Sequence, residues 1–202
     1  MIKINNLSIS FGDKIIFDKW NCEFNDNSIV AVLGRSGCGK TTLLRSIAGL
    51  FKPQSGEIFI NDKKLSGPTK EIFMMHQTYA NFPWKNCLDN ILFPIKIQGT
   101  VTPEHKLEAQ EMLIKVGLEG CAIKYPHELS GGMKQRLALA RVLVTKPPII
   151  LMDEPLSALD PKTRSQMQDL VLDMHYKTKN TILMVTHDPE EARKMADKIM
   201  NL

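Results

Sequence analysis

The chain has 202 residues, 43% of them hydrophobic, and its 26 Lys and Arg against 22 Asp and Glu leave a formal net charge of +4. That length suits one domain with a core of its own, and the charge is too small to argue for a nucleic-acid partner. No apolar run approaches the ~18–20 residues needed to cross a bilayer; Met1-Ile2-Lys3-Ile4-Asn5-Asn6 lacks a signal peptide's layout; and Cys22, Cys38, Cys87 and Cys121 show no Cys-x-x-Cys spacing, so neither a zinc site nor a disulfide framework is indicated.

From the N-terminus to about residue 76, short β-like runs alternate with turns. Phe11 precedes Gly12 at the end of one run and reads either as an apolar strand end or as an aromatic face for a nucleobase. Ile29-Val30-Ala31-Val32-Leu33 is a short β-branched run that predicts a buried parallel strand. Directly after it, Gly34, Arg35, Ser36, Gly37, Cys38, Gly39, Lys40 and Thr41 spell G-x-x-x-x-G-K-[ST] in full, and Thr41 to Leu50 reads as a helix. A turn between strand and helix aims backbone N–H groups and the helix dipole at an anion. The glycines let the backbone curl around phosphate. Lys40 suits the β- and γ-phosphates and the Thr41 hydroxyl suits Mg²⁺. Thr42 completes the candidate phosphate-binding set.

A second strand-like run, Ile72-Phe73-Met74-Met75-His76, leads to Gln77, whose carbonyl can ligate Mg²⁺ or hold water. In the loop that follows, Phe82 and Trp84 flank Pro83. They read either as plugs between two parts of the fold or as a docking surface, since aromatic residues are favoured at interfaces. Residues from about 78 to 145 are helix-rich. Thr102 before Pro103 predicts a helix start and Gly117 a stop, with Leu107, Met112, Leu113 and Val116 expected on one apolar face. Leu129-Ser130-Gly131-Gly132 is a second glycine-containing turn entering a helix-like pattern, so the chain has two phosphate-facing turns.

Ile149-Ile150-Leu151-Met152 predicts another buried strand, ending on Asp153-Glu154-Pro155. Two carboxylates at the exit of a hydrophobic strand suit Mg²⁺ chemistry, with Asp153 holding the metal through water and Glu154 accepting a proton from the attacking water. The run Thr181 to Thr186 ends on His187, which could contact the γ-phosphate or that water, because ligands of open parallel sheets bind beyond the carboxyl ends of the strands.

In this order the motifs resemble those of the nucleotide-binding subunits of ABC transporters, over nearly the whole chain from Phe11 to His187. The resemblance rests on a Walker A motif (Gly34–Thr41), a Q-loop (Gln77), a signature (Leu129–Met133 with Lys134-Gln135-Arg136), a Walker B motif (Ile149–Asp153) with Glu154, a D-loop (Ser157-Ala158-Leu159-Asp160) and a switch histidine (His187). It implies an α/β P-loop NTPase fold. That fold has a RecA-like core, an N-terminal antiparallel β subdomain and a helical subdomain inserted at about 78–145, all within one domain of 1–202.

The resemblance also implies an ATPase using ATP and Mg²⁺, with Thr41, Gln77 and Asp153 towards the metal, and Glu154, His187, Gln77 and Lys40 in catalysis. It implies a head-to-tail homodimer in which Ser130, Gly131 and Gly132 meet the γ-phosphate held by the other copy, with Asp160 at the interface and Phe11 on adenine. The remaining implied partners are a transmembrane permease and a separate substrate-binding protein, placing the subunit in the cytoplasm on the inner face of the membrane. Pro83-Trp84 followed by Asp89-Asn90 looks like the importer ATPases for nitrate, sulfonate and taurine-type substrates. An export or lipid-handling complex and a soluble ABC ATPase remain as alternatives. Asn27-Ser28 depart from the Gly-Glu pair common in the family, Met133 from the usual glutamine, and Phe11 from the frequent tyrosine; none removes a catalytic group.

Overall fold

Alternation decides the first element. In the computed structural model, which describes residues 1–202, β1 (Ile2–Phe11) buries Ile2, Ile4, Leu7 and Ile9. The alternation skips a residue between Ile4 and Leu7, where the pairing slips and Asn6 takes a left-handed φ of 51°. A bulge there restores the same face to the core after the slip. β1 pairs antiparallel with β2 (Lys14–Phe24) on one side and β4 (Ser55–Ile60) on the other, giving a sheet with the order β2-β1-β4-β5, where β5 is Lys63–Lys64.

The second sheet has the order β6-β7-β8-β3-β9, formed by Ile72–Met75, Ile149–Asp153, Thr181–Val185, Ile29–Leu33 and Lys198–Asn201. β3 pairs parallel with β8 and β9, and β7 pairs parallel with β8. Every residue of β7 and β8 is buried, as their unbroken apolar runs require. α1 (Lys40–Ile47) presents Leu43, Leu44 and Ile47 to a core shared with Ile2, Ile4, Leu7, Ile9, Val30, Val32, Leu151 and Leu183.

The chain divides into two compact units. The first, Met1–Met74 with Pro148–Glu154 and Lys179–Leu202, holds the strands and α1 described above and α6 (Pro189–Met195). The second is Met75–Pro147 with Pro155–Thr178. It is built from α2 (Cys87–Gln98), α3 (Pro103–Lys115), α4 (Gly131–Leu143) and α5 (Pro161–Thr178). α2 packs on α3 and α4, and α4 on α3 and α5.

α3 starts where the sequence sets it. Thr102 accepts from the His105 amide, the His105 ring accepts from the Thr102 amide, and Pro103 opens the first turn. Gly117 ends it with a φ of +65°. Its buried face differs from the sequence expectation. Ala109, Met112, Leu113 and Val116 are buried, whereas Leu107 is 60% exposed. The buried four follow the spacing i, i+3, i+4, i+7, and Leu107 lies five residues before Met112, about 140° around the helix. Met112→Ala is therefore expected to cost about 2–5 kcal/mol in urea unfolding, and Leu107→Ala within about 0.5 kcal/mol; equal losses would contradict this assignment of the face.

Candidate active site

Strand register assembles the first half of the site. Val32 lies opposite Val185, and Val185 opposite Asp153, so β3, β8 and β7 end at the same level. The Thr186 amide donates to the Val32 carbonyl at 3.3 Å and the Glu154 amide to the Val185 carbonyl at 2.9 Å. The glycine-rich turn after β3, Asp153-Glu154 and His187 therefore leave one edge of the sheet together, all within the first unit.

The turn 34–39 leads into α1 through Gly39, the N-cap, whose φ of 110° excludes ordinary side chains. A Cβ at Gly39 would also lie 2.2 Å from Ile16 Cγ2. Lys40 is 8% exposed, and its ammonium donates to the Gly34 and Arg35 carbonyls at 2.7 and 3.0 Å. With its charge held along the inner line of the turn, it is placed for an anion bound by the loop.

Asp153 is 3% exposed at the end of β7. Glu154 follows with a left-handed φ of 49°, a conformation that persists in a non-glycine residue only where its surroundings enforce it. Its amide bond to β8 is one such constraint. Glu154 Oε1 lies 3.4 Å from His187 Nδ1, so carboxylate and imidazole face each other. Phe11, at the end of β1, is 50% exposed and has its ring 5.6 Å from that of Phe51.

The second unit holds Gln77, the signature turn and Asp160. Gln77 is exposed in the turn after β6, where the Tyr79 amide donates to the His76 carbonyl. Ser130 is the N-cap of α4, its hydroxyl accepting from the Met133 amide at 3.3 Å. Ser130 and Gly131 are exposed, so the first turn of this 13-residue helix, which has no acidic residue, opens its N–H groups to solvent. A Cβ on Gly132 would meet the Ala158 carbonyl and Leu159 at 3.4 and 3.3 Å, so 158–159 pack directly on the signature turn. The Asp160 carboxylate accepts from the Thr163 amide at 3.0 Å at the start of α5, and the hydrogen bonds from Thr163 hold its pKa below the usual carboxylate range.

Three contacts that the sequence did not show complete this picture. Lys14 donates its ammonium to the Gly37 carbonyl at 2.9 Å, and it pairs with Phe11 across the β1–β2 turn. Gln135, fully buried on α4, accepts from the Ala158 amide at 3.0 Å and ties 158 to the signature helix. Asn90, also fully buried, holds residues 82–86 through four hydrogen bonds. Each contact joins residues separated in sequence, and only the polarity of a lysine, glutamine or asparagine could have hinted at it.

A family model described as ABC transporter matches residues 17–157. The chain belongs to the ABC transporter family. The taurine import ATP-binding protein TauB of Escherichia coli (strain K12) is 40% identical over 202 residues, covering 100% of this chain and 79% of that protein. An uncharacterized ABC transporter ATP-binding protein of Methanocaldococcus jannaschii is likewise 40% identical, covering 100% and 77%. A solved dimeric structure of the ATP-binding cassette MJ0796, in a post-hydrolysis state with ADP and Pi, matches at a TM-score of 0.90 and 32% identity, covering 100% of this chain and 94% of that one. The fold is that of an ABC ATPase cassette, and this ABC subunit binds and hydrolyses ATP.

Lys14→Ala removes a charge-assisted hydrogen bond from the phosphate-binding turn and is expected to weaken ATP binding by about threefold to tenfold. Lys40→Ala should weaken it far more. Titration with ATP measures both, and an unchanged affinity in Lys14→Ala would show that Gly37 is held without it.

Proposed function

We propose that this chain is the ATP-hydrolysing subunit of an ABC importer, working as a head-to-tail homodimer on the cytoplasmic face of the membrane beside a separate permease. Residues 1–202 act as one cassette, with the helices from about 78 to 145 as its inserted subdomain. The observation that carries the reading is the pair of open helix-start turns. Gly34–Thr41 shares a sheet edge with Asp153, Glu154 and His187, whereas Ser130–Gly132 caps a helix of the other unit and offers its N–H groups outward. The second turn is a γ-phosphate ligand for ATP held by another copy. Asp160 and the backbone around Ala158, fixed to that turn through Gln135, complete the same interface.

At each ATP, the Walker A turn from Gly34 to Thr42 holds the phosphates and Phe11 stacks on adenine. Water attacks the γ-phosphorus, the bond to the β–γ bridging oxygen breaks, ADP leaves with that electron pair, and Glu154 takes the proton from the water. His187, facing Glu154 across 3.4 Å, orients the carboxylate and the γ-phosphate side. The Thr41 hydroxyl and the buried Asp153 carboxylate form a sparse, oxygen-only donor set at the phosphate edge, which fits Mg²⁺, an ion that keeps water and phosphate oxygens in its shell. The role expected of Gln77 towards that ion belongs to this proposal. When bound, the ion neutralises charge on the β- and γ-phosphate oxygens.

Trp84, 70% exposed, is not a core plug. Phe82 packs beneath it, with ring centroids 5.7 Å apart, and Asn90 fixes the loop. This exposed aromatic on a pinned loop supports a docking surface for the permease. The similarity to TauB over the whole of this chain and the Pro83-Trp84 and Asp89-Asn90 pairs support an importer of the nitrate, sulfonate and taurine type, whose substrate is delivered by a binding protein.

Glu154→Gln is expected to keep ATP binding while turnover falls by roughly 10²–10⁴, and to sediment as a dimer with ATP. Adding Ser130→Arg to it should return the protein to monomers; a persistent ATP-bound dimer would contradict the trans assignment. Trp84→Ala should leave thermal stability of the isolated subunit nearly unchanged and weaken permease association by about 2 kcal/mol or more. Undiminished association would remove Trp84 from the docking surface.

A further inference from the structure

Residues 79–86 leave the Q-loop in a conformation that the chain does not adopt unaided. Tyr79 and Ala80 both take positive φ, 63° and 43°. Two successive left-handed non-glycine residues persist only where neighbouring groups over-determine them. The neighbours here come largely from α4, the helix that begins at the signature. Arg141, in its last turn, donates Nη1 to the Ala80 carbonyl at 2.5 Å and to Asn81 Oδ1 at 3.4 Å. The same guanidinium lies over the Phe82 ring, 4.5 Å from its centroid. Asn81 Nδ2 in turn donates to the Lys134 carbonyl at 2.8 Å, in the first turns of α4. The strained turn is thus stitched to both ends of the signature helix.

The guanidinium is half-buried in this position. Its Nε is buried without a hydrogen-bond partner, and burial alone pushes the group down to about 10. Holding a charge there is costly unless the arrangement has a use. On the far side of the loop, Phe82 packs on Phe93 at 4.4 Å and on Trp84 at 5.7 Å, and Asn90 grips Phe82, Lys85 and Asn86. The contacts run without a break from α4 through Arg141, Ala80 and Phe82 to Trp84.

We infer that Arg141 is a positioning residue that locks the Trp84 loop to the signature helix, so that the loop and Ser130–Gly132 move as one body. The inference rests on the reading of the signature as a trans ligand and deepens it by naming the tie through which docking at Trp84 and nucleotide closure at Ser130 affect each other. An arginine is required because one planar group both stacks on Phe82 and reaches two oxygens. A lysine ammonium keeps the charge and loses that fork.

The test uses the two-tryptophan content of the chain. Trp20→Phe leaves Trp84 as the one tryptophan, and Glu154→Gln holds the ATP-bound state. ATP with Mg²⁺ should change Trp84 emission as the dimer forms, followed by sedimentation of the same samples. Arg141→Lys should still bind ATP through its own Walker A turn, but the emission change should largely disappear. Hydrogen exchange should rise by about tenfold or more across 79–86 and the start of α4, the worth of a lost charge-assisted hydrogen bond, and stay unchanged in 103–115. If Arg141→Lys fails to fold, Asn81→Ala, which cuts the second stitch, is read in the same way with a smaller loss. An unchanged emission response, or exchange raised evenly through all helices, overturns the positioning role. Absence of an ATP-dependent dimer in the parent overturns the trans reading and this inference with it; a dimer without any Trp84 response overturns this inference alone.

Discussion

The edge that carries the candidate active site depends on the register of three parallel strands. Val32, Val185 and Asp153 stand level across β3, β8 and β7. A slip of one residue in β7 would send Asp153 and Glu154 away from the phosphate-binding turn and reverse every side chain of the strand. The slip is prevented because all three strands are buried on both faces, so each must keep an unbroken apolar run in place. Hydrophobic burial therefore sets the geometry of the candidate site. The polar residues occupy the first positions beyond that run, where the sheet ends. The left-handed φ of Glu154 is a consequence: its amide is bound to β8, and the chain must turn sharply to leave the edge.

The second unit solves a different problem. Its signature turn is a helix start, and on the proposed function its backbone donors have value only if the helix is held in a fixed attitude. Gln135 fixes Ala158 against the signature turn, and Arg141 with Asn81 fixes the turn after Gln77. Both ties are polar side chains bonding to backbone, Gln135 fully buried and Arg141 and Asn81 half-buried, which specify one arrangement where apolar contacts would permit sliding. On the proposed function, this stiffness lets one helix serve both a nucleotide and a membrane partner.

Most of the candidate site's placement was legible in the sequence because it is local. Gly34–Thr41, Asp153-Glu154 and His187 each follow an apolar run that marks a buried strand, so motif and position identify each other. The helix start at Thr102 was legible for the same reason, since its cap lies within four residues. What escaped were features that depend on distant partners. Lys14 gains meaning only when the β1–β2 turn comes to Gly37, and Asn90 only when the helix carrying it sits beneath 82–86. Leu107 was placed on the buried face because it is apolar, although helical geometry puts it on the other side from Met112. The exposure of Trp84 also could not be read from its neighbours, because Phe82 alone takes the inward position.

The central claim is that the signature of one copy closes on the Walker A turn of another. Cys38, within that turn, provides a native reporter. In Glu154→Gln protein with Cys22, Cys87 and Cys121 replaced by serine or alanine, a cysteine introduced by Ser130→Cys can be joined to Cys38 with a short bismaleimide. The account predicts a covalent dimer, cross-linked between Cys38 of one chain and position 130 of the other, formed with ATP and Mg²⁺ and nearly absent with ADP. Cross-links confined to single chains, or dimers formed equally well with either nucleotide, would contradict it.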